Sequence, residues 1–428
     1  MDYAAALSAL EDRKETRMVP DLSRILALAT YLDDPQLSYP TIHVTGTNGK
    51  GTAARVATEI ACAHGLTTGL YTSPHLESVT ERLSVCGVDV TEKEFAEEFT
   101  HLQPFLELVD GRSEERVTYF EALTAFAYLW FADKPVALGV FEVGMGGTWD
   151  ATNLISSDVA VITPIGLDHP ELGATLTEVA GEKAGIIKDG KAVVVREQEA
   201  EALAVIESRC DQVGASLSLE FRDWEITERL QAVGGQAFAV RGLHASYDDL
   251  FLPLFGEHAV RNAAAALVAC ESLFGEAFEE GTLREALAGV RWPGRLEVVG
   301  RQPAIVLDGA HNPAGAEALA VALREFFLWE RLHLVLSIGE NKDVAGIAAQ
   351  LAPLADVAYA ARNESERTGD ATPIAEAFDA EGTPVTVHGS VAEALDAARA
   401  AASPGDLICV TGSLYTVADA RRALGLTT

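Results

Sequence analysis

The chain has 428 residues, of which 48% are hydrophobic and 22% charged, and it carries a formal net charge of −32. That length exceeds one typical core and implies two globular domains. The acidity argues against a general nucleic-acid binder or a protein of anionic membrane surfaces, because both need basic stripes. No apolar run reaches the roughly 20 residues that span a bilayer, and Asp133-Lys134 interrupts the best candidate.

Taken in chain order, Met1–Leu7 lacks the basic start and apolar core of a secretory leader, so a cytoplasmic protein is expected. A strand-like run, Thr41–Thr45, then leads into Gly46-Thr47-Asn48-Gly49-Lys50-Gly51-Thr52 and an alanine-rich helical pattern through Ala63. Strand, glycine loop, lysine, hydroxyl and helix together make a phosphate cradle. Free backbone N–H groups and the positive end of the helix face an anion, Lys50 adds a charge, and Thr52 can ligate Mg²⁺. The spacing is not the common one. Only Thr47 and Asn48 separate the first glycine from Gly49-Lys50, and Gly51 intervenes before Thr52.

Further strands read at Thr68–Tyr71, Leu138–Val143, Val159–Pro164 and Ala192–Val195, with helices at Ala53–Ala63, Glu92–Val109, Tyr119–Ala132 and Ala259–Leu273. This alternation predicts a mainly parallel α/β architecture. Between about 216 and 253 the pattern turns hairpin-like, with Gly234-Gly235 as a turn. Arg291-Trp292-Pro293-Gly294-Arg295 then punctuates the chain before a second βα series at Ala304–Leu307, Leu332–Ser337, Val357–Ala360, Pro384–Val387 and Leu407–Val410. The expected division is a nucleotide domain over 1–295 and a smaller Rossmann-like α/β domain over 296–428. Cys62, Cys86, Cys210, Cys270 and Cys409 are far apart and odd in number. Buried free thiols in a reducing compartment are the expectation.

Several strand ends carry polar groups, where α/β sheets place their ligands. Ser73, in Thr72-Ser73-Pro74-His75-Leu76, offers a hard oxygen for Mg²⁺. Glu142 is an acid within an apolar strand, so a metal or lysine partner is expected, with a buried salt bridge as the structural alternative. Asp168-His169 follows another strand end, in a position matching Glu142. Lys183 reads as lying at a helix start among small and apolar residues, where burial lowers a lysine's pKa. Such an amine can take up CO₂ as a carbamate, or can simply form a salt bridge.

Taken together and in order, these segments resemble one family. They are Thr-Gly-Thr-Asn-Gly-Lys-Gly-Thr (45–52), Thr-Ser-Pro-His-Leu (72–76), Glu-Val-Gly-Met-Gly-Gly (142–147), Asp-Ala-Thr-Asn (150–153), Gly-Leu-Asp-His (166–169), Glu-Lys-Ala-Gly-Ile-Ile-Lys (182–188), Trp-Pro-Gly-Arg-Leu-Glu (292–297) and Asp-Gly-Ala-His-Asn-Pro (308–313). The resemblance is to folylpolyglutamate synthase/dihydrofolate synthase, the folate branch of the Mur-ligase superfamily, and it covers nearly the whole chain.

The resemblance implies a Mur-ligase-like P-loop domain followed by a glutamate-ligase domain. It implies ATP-dependent amide ligation in which a pterin-containing acid becomes an acyl phosphate that the amine of L-glutamate attacks. Carried over, Asn48, Gly49, Lys50, Gly51, Thr52, Asn262, Arg295 and Asp308 would hold ATP. Thr52, Ser73, Glu142, His169 and Lys183 (as a carbamate) would hold two Mg²⁺ ions, and a monovalent cation is a further possible cofactor. Lys50, Glu142, His169 and Lys183 would carry catalysis. Thr118, Tyr119, Phe120, Glu121, Trp149, Asp150 and Ala151 would line the pterin pocket, and His311 and Ser413 would face glutamate. The expected assembly is a monomer without nucleic-acid or membrane partners.

The chain departs from the family's pattern at four places. Thr148-Trp149 stands where Arg-Leu is usual, so a basic residue is missing near the acid substrate. Ala259 replaces Gln, Asn341 replaces Asp, and Val19-Pro20-Asp21-Leu22 replaces a Leu-Gly-Leu motif of the pterin loop. These changes leave the ATP and metal set intact. They keep open a divergent ligase that joins an amino acid to another acid; a non-catalytic ATP-binding module is a further alternative, against which the retained Ser73, Glu142, His169 and Lys183 count.

Overall fold

The computed structural model describes residues 1–14, 20–365 and 368–426. Helices α1 (Tyr3–Glu11) and α2 (Ser23–Tyr31) precede β1 (Thr41–Thr45), α3 (Lys50–Ala63) and β2 (Thr68–Tyr71). The hairpin β3 (Leu83–Val85) and β4 (Val88–Asp89) follows, then α4 (Glu92–Asp110), α5 (Tyr119–Asp133), β5 (Leu138–Glu142) and β6 (Val159–Ile162). Next come α6 (Leu176–Lys183), β7 (Ala192–Val195), α7 (Ala200–Val213), β8 (Ser216–Leu219), β9 (Glu225–Ala232), β10 (Gly235–Arg241) and β11 (Ser246–Leu252). Helices α8 (Glu257–Phe274) and α9 (Glu280–Gly289) lead to β12 (Glu297–Arg301), β13 (Ala304–Leu307), α10 (Pro313–Phe326), β14 (Leu332–Leu336), α11 (Val344–Leu351), β15 (Val357–Ala360), α12 (Ala371–Ala380), β16 (Val385–Val387), α13 (Val391–Ala401), β17 (Leu407–Thr411) and α14 (Leu414–Ala423).

These elements form two compact units. The first holds Met1–Arg229, Phe238–Phe251 and Arg261–Val290 among its described residues, and the second holds Leu230–Ala237, Leu252–Val260 and the described residues from Arg291 onward. Two segments that precede residue 291 therefore cluster with the second unit. Gly234 and Gly235, expected as a turn, join β9 to β10 in a three-stranded sheet of order β11-β10-β9.

In the first unit, eight strands run in the order β4-β3-β2-β5-β1-β6-β7-β8. All neighbours are parallel except the edge strands β3 and β4, which are antiparallel. Parallel central strands are covered on both faces, so every residue of β1 and β5 is buried. His43, in the middle of β1, is accommodated by a 2.8 Å hydrogen bond to Thr152 Oγ1. The chain moves from β1 to one side for β2 and later to the other for β6. The crevice beyond the carboxyl end of β1 is therefore the switch point where such sheets bind ligands. Aromatic side chains of α4 and α5, including Phe95, Phe99 and Phe126, pack one face with α1 and α2. Val179, Ile186, Val193 and Ile206 close another layer.

The second unit is a six-stranded sheet of order β12-β13-β17-β14-β15-β16, parallel except for β12. Leu319, Leu323, Leu334, Leu336 and Phe378 fill its core. Strand and helix positions follow the sequence expectation closely, and α3 begins at Lys50 rather than near Ala53. Gly49, at φ +93°, ends the loop in a left-handed turn, which allows the helix to start three residues earlier. No helix among the described residues is long and apolar enough to cross a membrane.

The expectation of buried free thiols holds for three cysteines and fails for two. Cys62 and Cys86 form a disulfide, whereas Cys210, Cys270 and Cys409 are free and buried. The 24-residue separation gives no sequence signal. The fold brings the end of α3 beside the turn between β3 and β4. Closing a loop of that length stabilises by roughly 3 kcal/mol through the unfolded chain's lost entropy. A reductant should therefore lower the melting temperature in scanning calorimetry, and a Cys62→Ser/Cys86→Ser variant should melt lower and no longer respond to reductant.

Candidate active site

The phosphate loop hangs from the carboxyl end of β1. Gly46 sits at φ +143°, and a Cβ there would lie 1.9 Å from Thr163 Oγ1 and 2.9 Å from the Thr163 carbonyl oxygen. The loop is tied to the end of β6: Thr47 N–H donates to Pro164 O at 2.9 Å, and Thr47 Oγ1 donates to Gly166 O and accepts from Gly166 N. Lys50, Gly51 and Thr52 form the first turn of α3, whose backbone N–H groups have no intrahelical partner. Lys50 Nζ donates to Gly46 O at 3.2 Å and to Thr47 O at 3.3 Å.

Lys183 reaches the same oxygen, with Nζ donating to Gly46 O at 2.8 Å. It is the last residue of α6, not a helix start as the sequence suggested. Thr175 and Glu178 form a reciprocal capping box that begins that helix earlier, a signal the sequence does carry. Burial and the neighbouring Lys50 charge push the Lys183 amine down to about 7, with Asp168 opposing them.

Asp168 and His169 line one small cavity together with Gly46, Lys50, Met145 and Lys183. Asp168 was named in the sequence only as half of a pair. Its carboxylate is buried and lies 3.4 Å from His169 Nε2. Glu142 ends β5, is 5% exposed, and accepts from Ser73 N–H at 3.2 Å. Register pairs Glu142 with Val44, so Ser73 and Glu142 stand beside the root of the loop. Asn262, on α8, is pressed against Gly49, where an added Cβ would lie 2.4 Å from its Nδ2. Ser73 with Glu142, and Asp168 and His169 with the low-pKa amine of Lys183, thus stand at the loop as two groups; their hydroxyl and carboxylate oxygens, and a carbamate on Lys183, are ligand types that suit Mg²⁺.

The residues expected around a pterin divide differently. Thr118 caps α5, and Glu121 answers with its carboxylate on the Thr118 N–H while also taking a 3.0 Å hydrogen bond from the buried Arg24. Asp150 is buried, which raises its pKa, and it holds the Met145 and Thr152 backbone N–H groups. The Ala151 carbonyl accepts from Tyr128. Phe120 packs over Gly144, and Tyr119 lies under the Arg82 guanidinium at 5.5 Å. Trp149 alone of this set presents a large apolar surface, at 48% exposure. Thr148 is tied by its N–H and hydroxyl to Glu182 O. Of the variant pterin-loop segment, residue 19 lies outside the described residues, and Asp21 accepts from Ser23 N–H and hydroxyl.

In the second unit, Asp308 follows β13 and accepts from Leu296 N–H and Ala310 N–H at 3.0 and 2.9 Å. Burial raises its pKa and the nearby Arg295 opposes this. His311 Nδ1 is 2.9 Å from Gly309 O. Ser413 caps α14 and also receives Asn363 Nδ2 at 3.2 Å. Because β13 and β17 are adjacent and parallel, these groups share one end of the sheet.

Comparisons with known proteins agree with this fold. Residues 44–270 match the Mur ligase middle domain, and residues 294–414 match the Mur ligase, glutamate ligase domain. Dihydrofolate synthase/folylpolyglutamate synthase of Mycobacterium tuberculosis is 40% identical over 96% of this chain and 91% of its own length. The solved structure of Mycobacterium tuberculosis folylpolyglutamate synthase complexed with ADP aligns with a TM-score of 0.95 at 38% identity, covering 99% of each chain. Escherichia coli FolC in complex with DHPP and ADP aligns at 0.88 with 32% identity, covering 100% of this chain and 98% of that one. Fold and site thus define an ATP-dependent Mur-type ligase. The chain belongs to the dihydrofolate synthase/folylpolyglutamate synthase family.

The Gly46 contacts give a direct check. Gly46→Ala must fit a methyl into Thr163 at a backbone angle that disfavours side chains. It should cost at least about 2 kcal/mol in denaturant unfolding and abolish binding of an ATP analogue.

Proposed function

We propose that the protein adds L-glutamate to dihydropteroate, to reduced folates, or to both, through an acyl phosphate. The observation that carries this reading is the convergence of Lys50 and Lys183 on the Gly46 carbonyl, beside Glu142, Ser73 and the Asp168-His169 pair. A carboxylate is a poor electrophile until one oxygen becomes a phosphate leaving group. Transferring the γ-phosphoryl group of ATP to it is chiefly a matter of position and charge.

The first turn of α3 and Lys50 hold the phosphates, with Asn48, Gly49, Gly51 and Thr52 shaping the loop and Asn262 beside it. Arg295 and Asp308 are the second unit's candidates for ATP, and His311 and Ser413 its candidates for glutamate. Thr52, Ser73, Glu142, His169 and Lys183 (as a carbamate) would hold two Mg²⁺ ions. The bound ions supply neutralisation of charge that builds during transfer. Lys183 suits carbamylation because burial and the Lys50 charge leave a substantial fraction of its amine uncharged at neutral pH. The neutral nitrogen bonds to the carbon of CO₂ and loses a proton, giving a carbamate anion. We place the enzyme in the cytoplasm as a monomer, without a nucleic-acid partner and with a monovalent cation as a further candidate cofactor. Tyr119, Phe120 and Trp149 offer aromatic surface to a pterin, while Thr118, Glu121, Asp150 and Ala151 shape the pocket wall.

A second reading, a ligase for a different acid, is favoured by one observation. Thr148 stands where the family pattern leads one to expect a basic residue, and its hydroxyl is committed to Glu182 O. Phosphate release with glutamate separates the two: dihydropteroate or tetrahydrofolate should stimulate it, and stimulation only by unrelated acids would overturn the folate assignment.

Lys183→Ala should lose ligation by several orders of magnitude while still binding ATP. In wild type, ¹³C-labelled bicarbonate should give a carbamate resonance that the variant lacks. Below about pH 7 the amine is protonated and cannot take up CO₂, so resonance and activity should fall together on the acid side. Full activity in Lys183→Ala would remove the carbamate.

A further inference from the structure

Asn262 is held by a group of charged side chains that no nucleotide motif contains. Arg196 follows β7, and Glu220 follows the adjacent parallel strand β8, so the two leave the sheet side by side. Both are buried, with side chains 4% and 1% exposed. Arg196 Nη1 donates to Asn262 Oδ1 at 2.7 Å, and its Nε lies 3.5 Å from Glu220 Oε2. Glu220 also accepts from Arg261 Nε at 2.7 Å and from Glu197 N–H at 2.8 Å. Arg261 in turn reaches Glu197 Oε2 at 3.0 Å and lies over the Phe221 ring at 5.1 Å. Two cations and two anions form a neutral network, which lets a guanidinium be buried at this depth.

The chemistry of the contact decides which way the Asn262 amide faces. A carboxamide fits one site in two orientations that exchange a donor for an acceptor. A guanidinium has donors only, so Arg196 requires Oδ1 on its side and leaves Nδ2 as the end that can donate. Among the described residues no acceptor takes a hydrogen bond from Nδ2. The amide rests against Gly49 at the start of α3, and Asn262 is 1% exposed. An N–H donor at that place suits a phosphate or base acceptor.

We propose that Arg196 is a positioning residue for nucleotide binding: it fixes the Asn262 amide with its donor toward the ligand, and Glu220 with Arg261 holds Arg196 in place. The proposal rests on the reading that Asn262 contacts ATP. A bland role, a buried ion pair that only stabilises β7 and β8, would affect melting and leave nucleotide affinity unchanged.

The test is a double-mutant cycle on the full chain, read by calorimetric titration with Mg²⁺ and a non-hydrolysable ATP analogue. Asn262→Ala and Arg196→Met should each weaken binding about tenfold, the scale of one lost hydrogen bond to a charged ligand. The double variant should be no weaker than Asn262→Ala alone, because Arg196 acts through that amide. In turnover, Arg196→Met should raise the KM for ATP about tenfold with kcat within twofold of wild type.

Wild-type affinity in Arg196→Met while Asn262→Ala is weakened, or losses that multiply in the double variant, would overturn the proposal. Wild-type affinity in Asn262→Ala would instead overturn the reading of Asn262 on which it rests. Should Arg196→Met not fold, Arg196→Lys takes its place in the cycle. The ammonium keeps the charge beside Glu220 but loses the two-point grip, so a several-fold loss that vanishes in the Asn262→Ala background supports the proposal. No loss, or an additive one, defeats it.

Discussion

Two lysine side chains share one backbone oxygen at the centre of this structure. Lys50 and Lys183 both donate to the Gly46 carbonyl, at 3.2 and 2.8 Å. Two ammonium groups so placed repel, and each is better off when the other is neutral or when an anion lies between them. Lys183, the more buried, yields, and its pKa falls to about 7. The loop's glycine conformation, its ties to Thr163, Pro164 and Gly166, and the termination of α6 at Lys183 all serve to bring that second amine to the first.

The surrounding charge makes this arrangement costlier to abandon and easier to use. A chain with a net charge of −32 repels polyphosphate at long range. Binding must therefore come from short-range groups in a site sheltered from that field. On the proposed reading, Lys50, the first turn of α3 and the oxygens of Thr52, Ser73 and Glu142 would supply it. Arg196 and Arg261 add positive charge nearby, but Glu197 and Glu220 neutralise it. Their contribution is orientation, not potential.

Much of the fold and the core of the site were legible because their signals are local. The glycine loop, the polar residues at the ends of β2, β5 and β6, and the alternation of strands and helices all sit within short windows of sequence. The Arg196–Glu220–Arg261 network was not legible: it joins ordinary charged residues that meet only because β7 and β8 are neighbours. Cys62 and Cys86 likewise meet through the fold of the sheet edge, so their spacing misled. Lys183 was placed at the wrong end of its helix although Thr175 and Glu178 marked the start. Glu121 and Asp150 illustrate a different difficulty. Motif position suggests ligand contact for both, yet their carboxylates hold backbone N–H groups, so a motif can persist because it builds the wall of a pocket.

Helix α3 joins two very different parts of the first unit. Its 14 residues span about 21 Å, from the phosphate loop to Cys62. At one end β1 is hydrogen-bonded on both sides, in the region of a sheet that opens only with the whole unit. At the other end lies the short β3–β4 rim, which local fraying reaches first. A rod held at one end can pivot; a rod held at both cannot. With the disulfide as a rivet at the rim, α3 is a strut between stem and edge, and the lysine and hydroxyl in its first turn belong to a rod held at both ends.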